Sequence, residues 1–210
     1  MANGKFITLE GIDGVGKSSL VPCVNELLGT YGFKTLITRE PGGTPVAEAV
    51  REILLLKWDE EFAPATELLL MFAARSQHVT EVIAPALNRG VWVICERFSD
   101  ASYAYQSGGQ NINAAFIDSL AELVHGDYWP DLTLYLDIDV ELARKRRLDS
   151  EDDRIESAGL EFFRKARERY RELANRTPRI KQIDASRPLS EVKDEVRRLV
   201  REFVKVSTSK

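Results

Sequence analysis

The chain has few of the residues that build metal centres and disulfide frameworks. Its 210 residues include two cysteines, Cys23 and Cys95, and two histidines, His78 and His125. Neither cysteine belongs to a CxxC pair and neither lies near a histidine, which argues against a zinc site. Both cysteines lie among apolar neighbours in predicted elements, as is typical of buried thiols in a cytoplasmic protein.

The chain also lacks long apolar runs and an excess of positive charge. No apolar run is long enough to span a bilayer, and no signal peptide is recognisable. The 29 basic and 33 acidic residues give a net charge of −4, so no bulk positive field would attract nucleic acid. We therefore expect a cytoplasmic protein that has neither a membrane nor a nucleic acid as a partner.

Apolar, β-branched runs alternate with helical patterns along the chain. This alternation predicts a five-stranded parallel sheet with helices on both faces, in one α/β domain spanning 1–210. In such open sheets ligands bind at the carboxyl ends of the strands, so the loops there are expected to hold the site. The predicted strands are 5–9, 33–37, 91–95, 132–137 and 180–183.

The loop after the first predicted strand fits the phosphate-binding pattern G-x-x-x-x-G-K-[ST], and a helical pattern follows it. Its glycines let backbone N–H groups surround phosphate oxygens, while the helix N-terminus adds positive potential. We expect Lys17 to face solvent until it meets the phosphates, and the Ser18 hydroxyl to bind Mg²⁺. The predicted ATP-binding residues are Gly11, Ile12, Asp13, Gly14, Val15, Gly16, Lys17, Ser18 and Ser19.

Charged clusters follow three further strands. Arg39 and Glu40 lie in a proline–glycine turn, Glu96 and Arg97 leave the third strand together, and 144–147 is a basic run. A basic run on a helix is often only a solvated face. However, all three clusters emerge on the phosphate side of the sheet, where phosphoryl transfer needs positive charge for two phosphate-bearing substrates.

Together these features resemble the thymidylate kinase family, and the match extends over nearly the whole chain. Gly14 stands where the eukaryotic form has arginine, so the resemblance is to the bacterial form, whose catalytic arginine comes from a flexible lid, here around 144–156. The resemblance implies a P-loop kinase fold, transfer from ATP to dTMP with Mg²⁺, and a homodimer. Besides the phosphate loop, the matching segments are TREPGGT (38–44), LLLMFAAR (68–75), ERF (96–98), SYAYQSGG (102–109), PDLTLYLD (130–137) and DRIE (153–156).

The same resemblance implies roles for individual residues. Asp13 would approach the acceptor's 3′-hydroxyl and the magnesium shell, Arg39 and Arg97 would hold its phosphate, and Arg75 would bind the thymine edge. The remaining acceptor-site residues are Glu40, Phe72, Ser102, Tyr105 and Gln106. The catalytic set comprises Lys17, Arg97, Asp13 and a lid arginine from among Arg144, Arg146, Arg147 and Arg154, with Arg146 and Arg154 preferred. Segment 185–188 resembles the loop that cups adenine.

Two positions depart from the family pattern. Glu96 stands where the family usually has aspartate, and this longer carboxylate can still serve magnesium through water. Met71 stands where the family usually has the phenylalanine that stacks on thymine. We expect the adjacent Phe72 to occupy the pocket, with packing of Met71 against the ring as the alternative.

Two other functions are compatible with a phosphate loop. One is a different nucleotide or deoxynucleoside kinase, which turnover of dTMP, dUMP, dCMP and thymidine would distinguish. The other is a nucleotide-operated switch, but Asn88 and Asn175 are both followed by arginine and lack the lysine and aspartate of the guanine-reading N-K-x-D motif.

Overall fold

The computed structural model describes residues 4–146 and 153–208, in which five strands alternate with helices. The strands are β1 (Phe6–Glu10), β2 (Thr35–Arg39), β3 (Trp92–Glu96), β4 (Leu132–Asp137) and β5 (Ile180–Asp184). The helices are α1 (Lys17–Thr30), α2 (Pro45–Leu55), α3 (Pro64–His78), α4 (Ala84–Asn88), α5 (Ser99–Ser102), α6 (Ala114–Val124), α7 (Val140–Lys145), α8 (Leu160–Arg176) and α9 (Leu189–Thr208). Two π-helical segments, Val79–Ile83 and Tyr103–Gly109, and a 3-10 turn, Glu156–Ala158, complete the described part.

The strands form one sheet in the order β2-β3-β1-β4-β5, and every neighbouring pair is parallel. The predicted five-stranded parallel sheet is therefore confirmed. The connection after β1 runs to β2 at one edge of the sheet, whereas the connection after β3 runs in the opposite direction, past β1 to β4. The strand order therefore reverses next to β1. Ligands of open α/β sheets bind at such a reversal. Because Leu9 pairs with Glu96, the phosphate loop and the Glu96–Arg97 pair lie side by side there.

The central strands are covered on both faces, which explains their continuous apolar runs. All residues of β1 and β4 are buried. Helices α1 and α9 pack against each other and contribute to the main apolar cluster, while α4 and the preceding π-helical segment cover Phe6, Val93 and Cys95. Cys23 and Cys95 are buried, free thiols, as predicted.

Within the described residues, no helix combines the length and the apolar character needed to cross a membrane.

Candidate active site

The phosphate loop turns sharply between β1 and α1 because its glycines adopt backbone conformations that other residues avoid. Gly11 has φ 136° and Gly16 has φ 96°. A Cβ on Gly11 would lie 2.5 Å from the Leu136 carbonyl oxygen, so the loop rests directly on β4. Ile12 and Val15 are buried, whereas Ser18 and Ser19 are exposed in the first turn of α1. The segment thus forms a rigid backbone turn at a helix N-terminus, as the motif predicts.

Lys17 does not face solvent, so that expectation is wrong. Its side chain is 4% exposed, and its Nζ donates to the Gly11 carbonyl at 2.9 Å and the Ile12 carbonyl at 3.0 Å. Burial, together with the nearby Arg97 guanidinium, lowers the pKa of Lys17 to about 8, although Asp13 favours the charged form. The ammonium therefore has to leave these two carbonyls before it can contact a triphosphate.

Ser18 and Glu96 lie together at the carboxyl ends of β1 and β3. The Ser18 hydroxyl donates to Glu96 Oε2 at 3.0 Å, which brings both predicted metal-site residues within one hydrogen bond. Hydroxyl and carboxylate oxygens are suitable ligands for Mg²⁺, directly or through water. Within the described residues there is no group of three or more His, Cys, Asp or Glu side chains that could hold a metal ion. A metal at this position would therefore take most of its oxygens from phosphates and water.

Arg97 is held in place beside the phosphate loop. Its guanidinium donates to the Gly11 carbonyl at 2.8 Å, to Asp13 Oδ1 at 2.6 Å and to the Tyr105 hydroxyl at 3.0 Å. Its backbone has φ 69°, a left-handed conformation that costs non-glycine residues about 1–3 kcal/mol. Such strain is often found at functional sites, and here it directs the guanidinium to the phosphate loop.

A cleft lies between β3, α2, α3 and the π-helical segment that follows α5, and we call it the acceptor cleft because it contains most of the expected acceptor-site residues. Arg75 forms its inner end, where Nε donates to Glu40 Oε2 at 2.7 Å and Nη1 donates to Ser102 Oγ at 3.1 Å. Burial alone would raise the pKa of Glu40, but Arg75 and His78 outweigh it and hold that pKa below its usual value. The cleft is lined by Asp13, Glu40, Pro41, Arg51, Leu55, Met71, Arg75, Arg97, Phe98, Ala101, Ser102, Tyr105, Gln106, Asp153, Ile155 and Glu156.

Phe72 does not face the cleft, contrary to the expectation. It is buried in a cluster with Leu68 and Tyr103, while its ring lies 4.5 Å from the Arg75 guanidinium carbon. Met71 lines the cleft instead. Phe72 therefore packs against Arg75, and Met71 is the one of these two neighbours that faces the cleft.

Arg39 is not among the cleft-lining residues, and its expected contact with the acceptor phosphate stays a prediction. Its side chain is exposed and pairs with Glu48, with a 2.9 Å separation between Nη2 and Oε2. Arg51 lines the cleft in its place, and its guanidinium donates to the Pro41 carbonyl at 2.8 Å. Sequence reasoning missed Arg51 because it belongs to no motif. Its helical spacing from Leu55, which also faces the cleft, is the only signal in the sequence.

A second cleft opens on the other side of the phosphate loop. Asp13 and Glu156 line both clefts, so the two spaces meet at the phosphate loop. The residues that line the second cleft are Ile12, Asp13, Val140, Ala143, Arg144, Glu156, Ser157, Gly159, Leu160 and Phe163.

Comparison with known proteins identifies the family to which this architecture belongs. The family model described as Thymidylate kinase matches residues 9–196. The chain belongs to the thymidylate kinase family. It is 50% identical over 203 residues to the thymidylate kinase of Bordetella pertussis, covering 96% of both chains, and 44% identical over 203 residues to that of Teredinibacter turnerae, covering 96% of this chain and 99% of the other.

A solved thymidylate kinase has the same fold. The crystal structure of the enzyme from Ehrlichia chaffeensis superposes with a TM-score of 0.76 at 32% identity, covering 95% of this chain and 99% of that one. The expected P-loop kinase fold is thereby confirmed. As a thymidylate kinase family member the chain is a nucleotide-binding transferase of the kinase class.

The lid arginines of this thymidylate kinase family member differ in what they contact. Arg146 donates to the Ala185 carbonyl at 2.8 Å and to the Ser186 carbonyl at 3.3 Å, in the segment that resembles the adenine loop. Arg144 lines the second cleft beside Asp13. Arg147 and the rest of 147–152 lie outside the described residues. The preference for Arg146 as a source of transition-state charge does not fit its position.

Arg154, the other preferred lid arginine, is docked against α2 and α3. Its Nε donates to the Leu54 carbonyl at 2.8 Å, its Nη2 pairs with Glu67, and its guanidinium carbon lies 4.4 Å from the Phe62 ring centroid. In this arrangement Arg154 anchors residues 153–156 beside the acceptor cleft. It does not reach the phosphate loop, so this preference also conflicts with the geometry.

Proposed function

We propose that this chain transfers the γ-phosphoryl group of ATP to dTMP, giving ADP and dTDP, a step in dTTP synthesis. The observation that carries the proposal is that two clefts meet at Asp13, the residue of the phosphate loop that pairs with Arg97. A kinase with two phosphate-bearing substrates needs such a junction, because it must align the donor and acceptor phosphates.

The donor side is supported by the phosphate loop and its neighbours. The loop's N–H groups and the start of α1 favour bound phosphates. Lys17 would leave the Gly11 and Ile12 carbonyls to offset the charge of the terminal phosphates. Ser18 and Glu96 are the residues that would hold Mg²⁺, which when bound neutralises part of the charge on the transferred group.

The acceptor side is supported by arginines at both ends of its cleft. Arg97 and Arg51 are placed to offset the charge of the acceptor phosphate, and Arg75 is placed at the inner end as a hydrogen-bond donor to a base carbonyl. Met71, which lines the cleft and is partly exposed, would provide an apolar contact for the ring. No general base is needed because a nucleotide phosphate is already anionic near neutral pH.

The lid contributes charge to the transition state through Arg144 or Arg147. Gly14 leaves the phosphate loop without an arginine side chain, and Arg144 lines the cleft beside Asp13. Closure of this segment would also exclude water and limit hydrolysis of ATP.

A coupled ADP-release assay with dTMP, dUMP, dCMP and thymidine tests the assigned acceptor. We expect the highest kcat/KM with dTMP, because the cleft ends in a fixed arginine donor with apolar walls. Higher kcat/KM with dCMP or thymidine would favour another nucleotide or deoxynucleoside kinase. GTP hydrolysis without transfer to any monophosphate would favour a switch.

We also propose that two chains form a homodimer through neighbouring faces of α3 and α6. These helices contact each other, yet they leave Leu69, Phe116 and Leu123 exposed by 58%, 65% and 81%. A two-fold interface between two copies would cover these exposed side chains on both chains at once. Light scattering should give twice the chain mass for the parent and the single-chain mass for Phe116→Asp. A monomeric parent would contradict the proposal.

A further inference from the structure

Glu67 is a buried carboxylate that contacts both Arg154 and a residue that lines the acceptor cleft, Gln106. It lies in the first turn of α3, and its side chain is 2% exposed. Oε1 accepts from Gln106 Nε2 at 2.9 Å and from Gln110 Nε2 at 2.7 Å, while Oε2 accepts from Arg154 Nη2 at 2.5 Å. Glu67 lies outside the sequence motifs, and the mechanism proposed above assigns it no role.

The contact with Glu67 fixes how the Gln106 amide is oriented. A carboxylate paired with a guanidinium offers only acceptors, so Gln106 has to turn its NH₂ group to Glu67. The carbonyl oxygen of the Gln106 amide then faces away from Glu67. Because Gln106 lines the acceptor cleft together with Arg75, the cleft offers a bound base a hydrogen-bond acceptor as well as a donor.

This combination matches one class of pyrimidine. A 4-keto pyrimidine such as thymine has a carbonyl oxygen at position 4 and an N–H at the neighbouring ring position. Cytosine has an amino group and an unprotonated ring nitrogen at these two positions. A carbonyl oxygen of Gln106 would accept from the thymine N–H but would face the cytosine nitrogen without a proton between them. An amide that could rotate would lose this discrimination.

The same carboxylate anchors Arg154. Arg154 also donates from its backbone N to the Leu55 carbonyl at 3.2 Å and from Nε to the Leu54 carbonyl at 2.8 Å, so it caps the end of α2. Removal of either partner of a buried ion pair leaves the other uncompensated. Docking of Arg154 and orientation of Gln106 are therefore linked through Glu67.

We propose that Glu67 is a positioning residue that fixes the Gln106 amide for 4-keto pyrimidines and couples this selectivity to docking of Arg154 at the end of α2. The proposal rests on the proposed function, since it requires the base to bind in this cleft. Glu67 acts through Gln106 and Arg154, without a substrate contact of its own.

Glu67→Gln tests the proposal because a carboxamide of the same shape can donate as well as accept. We expect the dTMP-to-dCMP ratio of kcat/KM to fall at least about tenfold, and KM for dTMP to rise by a larger factor than kcat falls. Glu168→Gln, the same change on the exposed side of α8, is the matched control and should leave both quantities at their parental values.

If kcat/KM for dTMP and dCMP falls equally in Glu67→Gln, so that their ratio is unchanged, the proposal is overturned and Glu67 has a purely structural role. If Glu67→Gln does not fold, Glu67→Asp is the second test. Its shorter side chain keeps the charge but moves it away from Gln106, so we expect the same fall in the dTMP-to-dCMP ratio of kcat/KM. Failure of the parent enzyme to use dTMP would instead refute the proposed function, so the two failures are distinguishable.

Discussion

At the scale of single residues, the site is organised by charged groups that hold one another before any substrate arrives. Lys17 rests on backbone carbonyls, Arg97 rests on Asp13, and Arg75 rests on Glu40. Each of these cations has to keep or exchange a partner when a phosphate or a base enters. The pairs that hold Arg97 and Arg75 reduce the reorganisation required during transfer, which is how preorganised charge lowers a barrier. Lys17 differs, because it has to leave its two carbonyls first.

The buried position of Lys17 makes ATP binding dependent on pH. Because its pKa is about 8 in the free protein and a bound triphosphate favours the charged form, binding near that pH should take up protons, and affinity should fall as the pH rises above it. Calorimetry of ATP binding in buffers of different ionisation enthalpy measures this uptake. Lys17→Arg keeps its charge throughout and serves as the control. Binding by the parent without proton uptake would disprove the assignment.

Glu96→Gln should weaken the Mg²⁺-dependent activity, so that more Mg²⁺ is needed to reach a given kcat, while leaving the melting temperature nearly unchanged. The expected cause is loss of a carboxylate from the group formed with Ser18, since the amide can still accept the Ser18 hydrogen bond. A magnesium titration of kcat alongside a thermal melt separates the alternatives. A purely structural Glu96 would give a lower melting temperature with the magnesium dependence intact.

At the scale of secondary-structure elements, the arginines in and after α7 contact different parts of the molecule. Arg146 contacts the segment that resembles the adenine loop, Arg154 contacts α2 and α3, and Arg144 lines the second cleft together with Asp13. Substitutions in one short segment should therefore affect different kinetic constants.

Alanine variants of the lid arginines test this division. Arg144→Ala or Arg147→Ala should lower kcat by about 10³–10⁵, because an arginine that assists phosphoryl transfer is worth that much. Arg146→Ala should mainly raise KM for ATP, and Arg154→Ala should mainly raise KM for dTMP. Steady-state kinetics with each substrate varied measures all four. If kcat fell by orders of magnitude only in Arg146→Ala or Arg154→Ala, the assignment made from the contacts would be refuted.

At the scale of the whole molecule, the sheet carries a buried acid next to the site. Glu10, at the end of β1, accepts from the Phe98 N–H at 2.6 Å and the Tyr170 hydroxyl at 2.7 Å. Burial, reinforced by the charge of Asp100, raises the pKa of Glu10 to about 7 from an unfolded value of 4.5. Between these values the native state binds a proton that the unfolded state has released. Stability from this group is therefore present at low pH and lost as the pH rises through that window.

Glu10→Gln should remove this dependence. Urea unfolding at about pH 5 and about pH 8 should show a larger loss of unfolding free energy in the parent than in the variant over this interval, because the amide does not titrate. Each protein is compared with itself at the two pH values, so other titrating groups common to both cancel. Equal losses in parent and variant would exclude Glu10 as the source.

The sequence predicted those parts of the molecule that depend on local pattern. The parallel sheet follows from apolar runs separated by helical segments, and the phosphate turn follows from glycines whose backbone angles no other residue adopts readily. The choice between Met71 and Phe72 could not be made in this way. Both are apolar neighbours on one helix, and only packing against Leu68 and Tyr103 turns Phe72 inward.

Side-chain contacts between segments that are far apart in the chain could not be predicted from the local sequence pattern either. The inward fold of Lys17, the cleft position of Arg51 and the docking of Arg154 on Glu67 each depend on elements that meet only in the folded chain. A basic run looks the same in sequence whether its arginines face phosphates, a carboxylate or backbone carbonyls.

The central claim is that the two clefts bring ATP and dTMP together for direct transfer at Asp13 and Arg97. Phosphorus NMR of the protein with Mg²⁺, ATP and dTMP tests it most directly, with Lys17→Ala as the inactive control. We predict that dTDP and ADP signals grow in equal amounts with no release of inorganic phosphate. Formation of ADP and inorganic phosphate without dTDP would contradict the account.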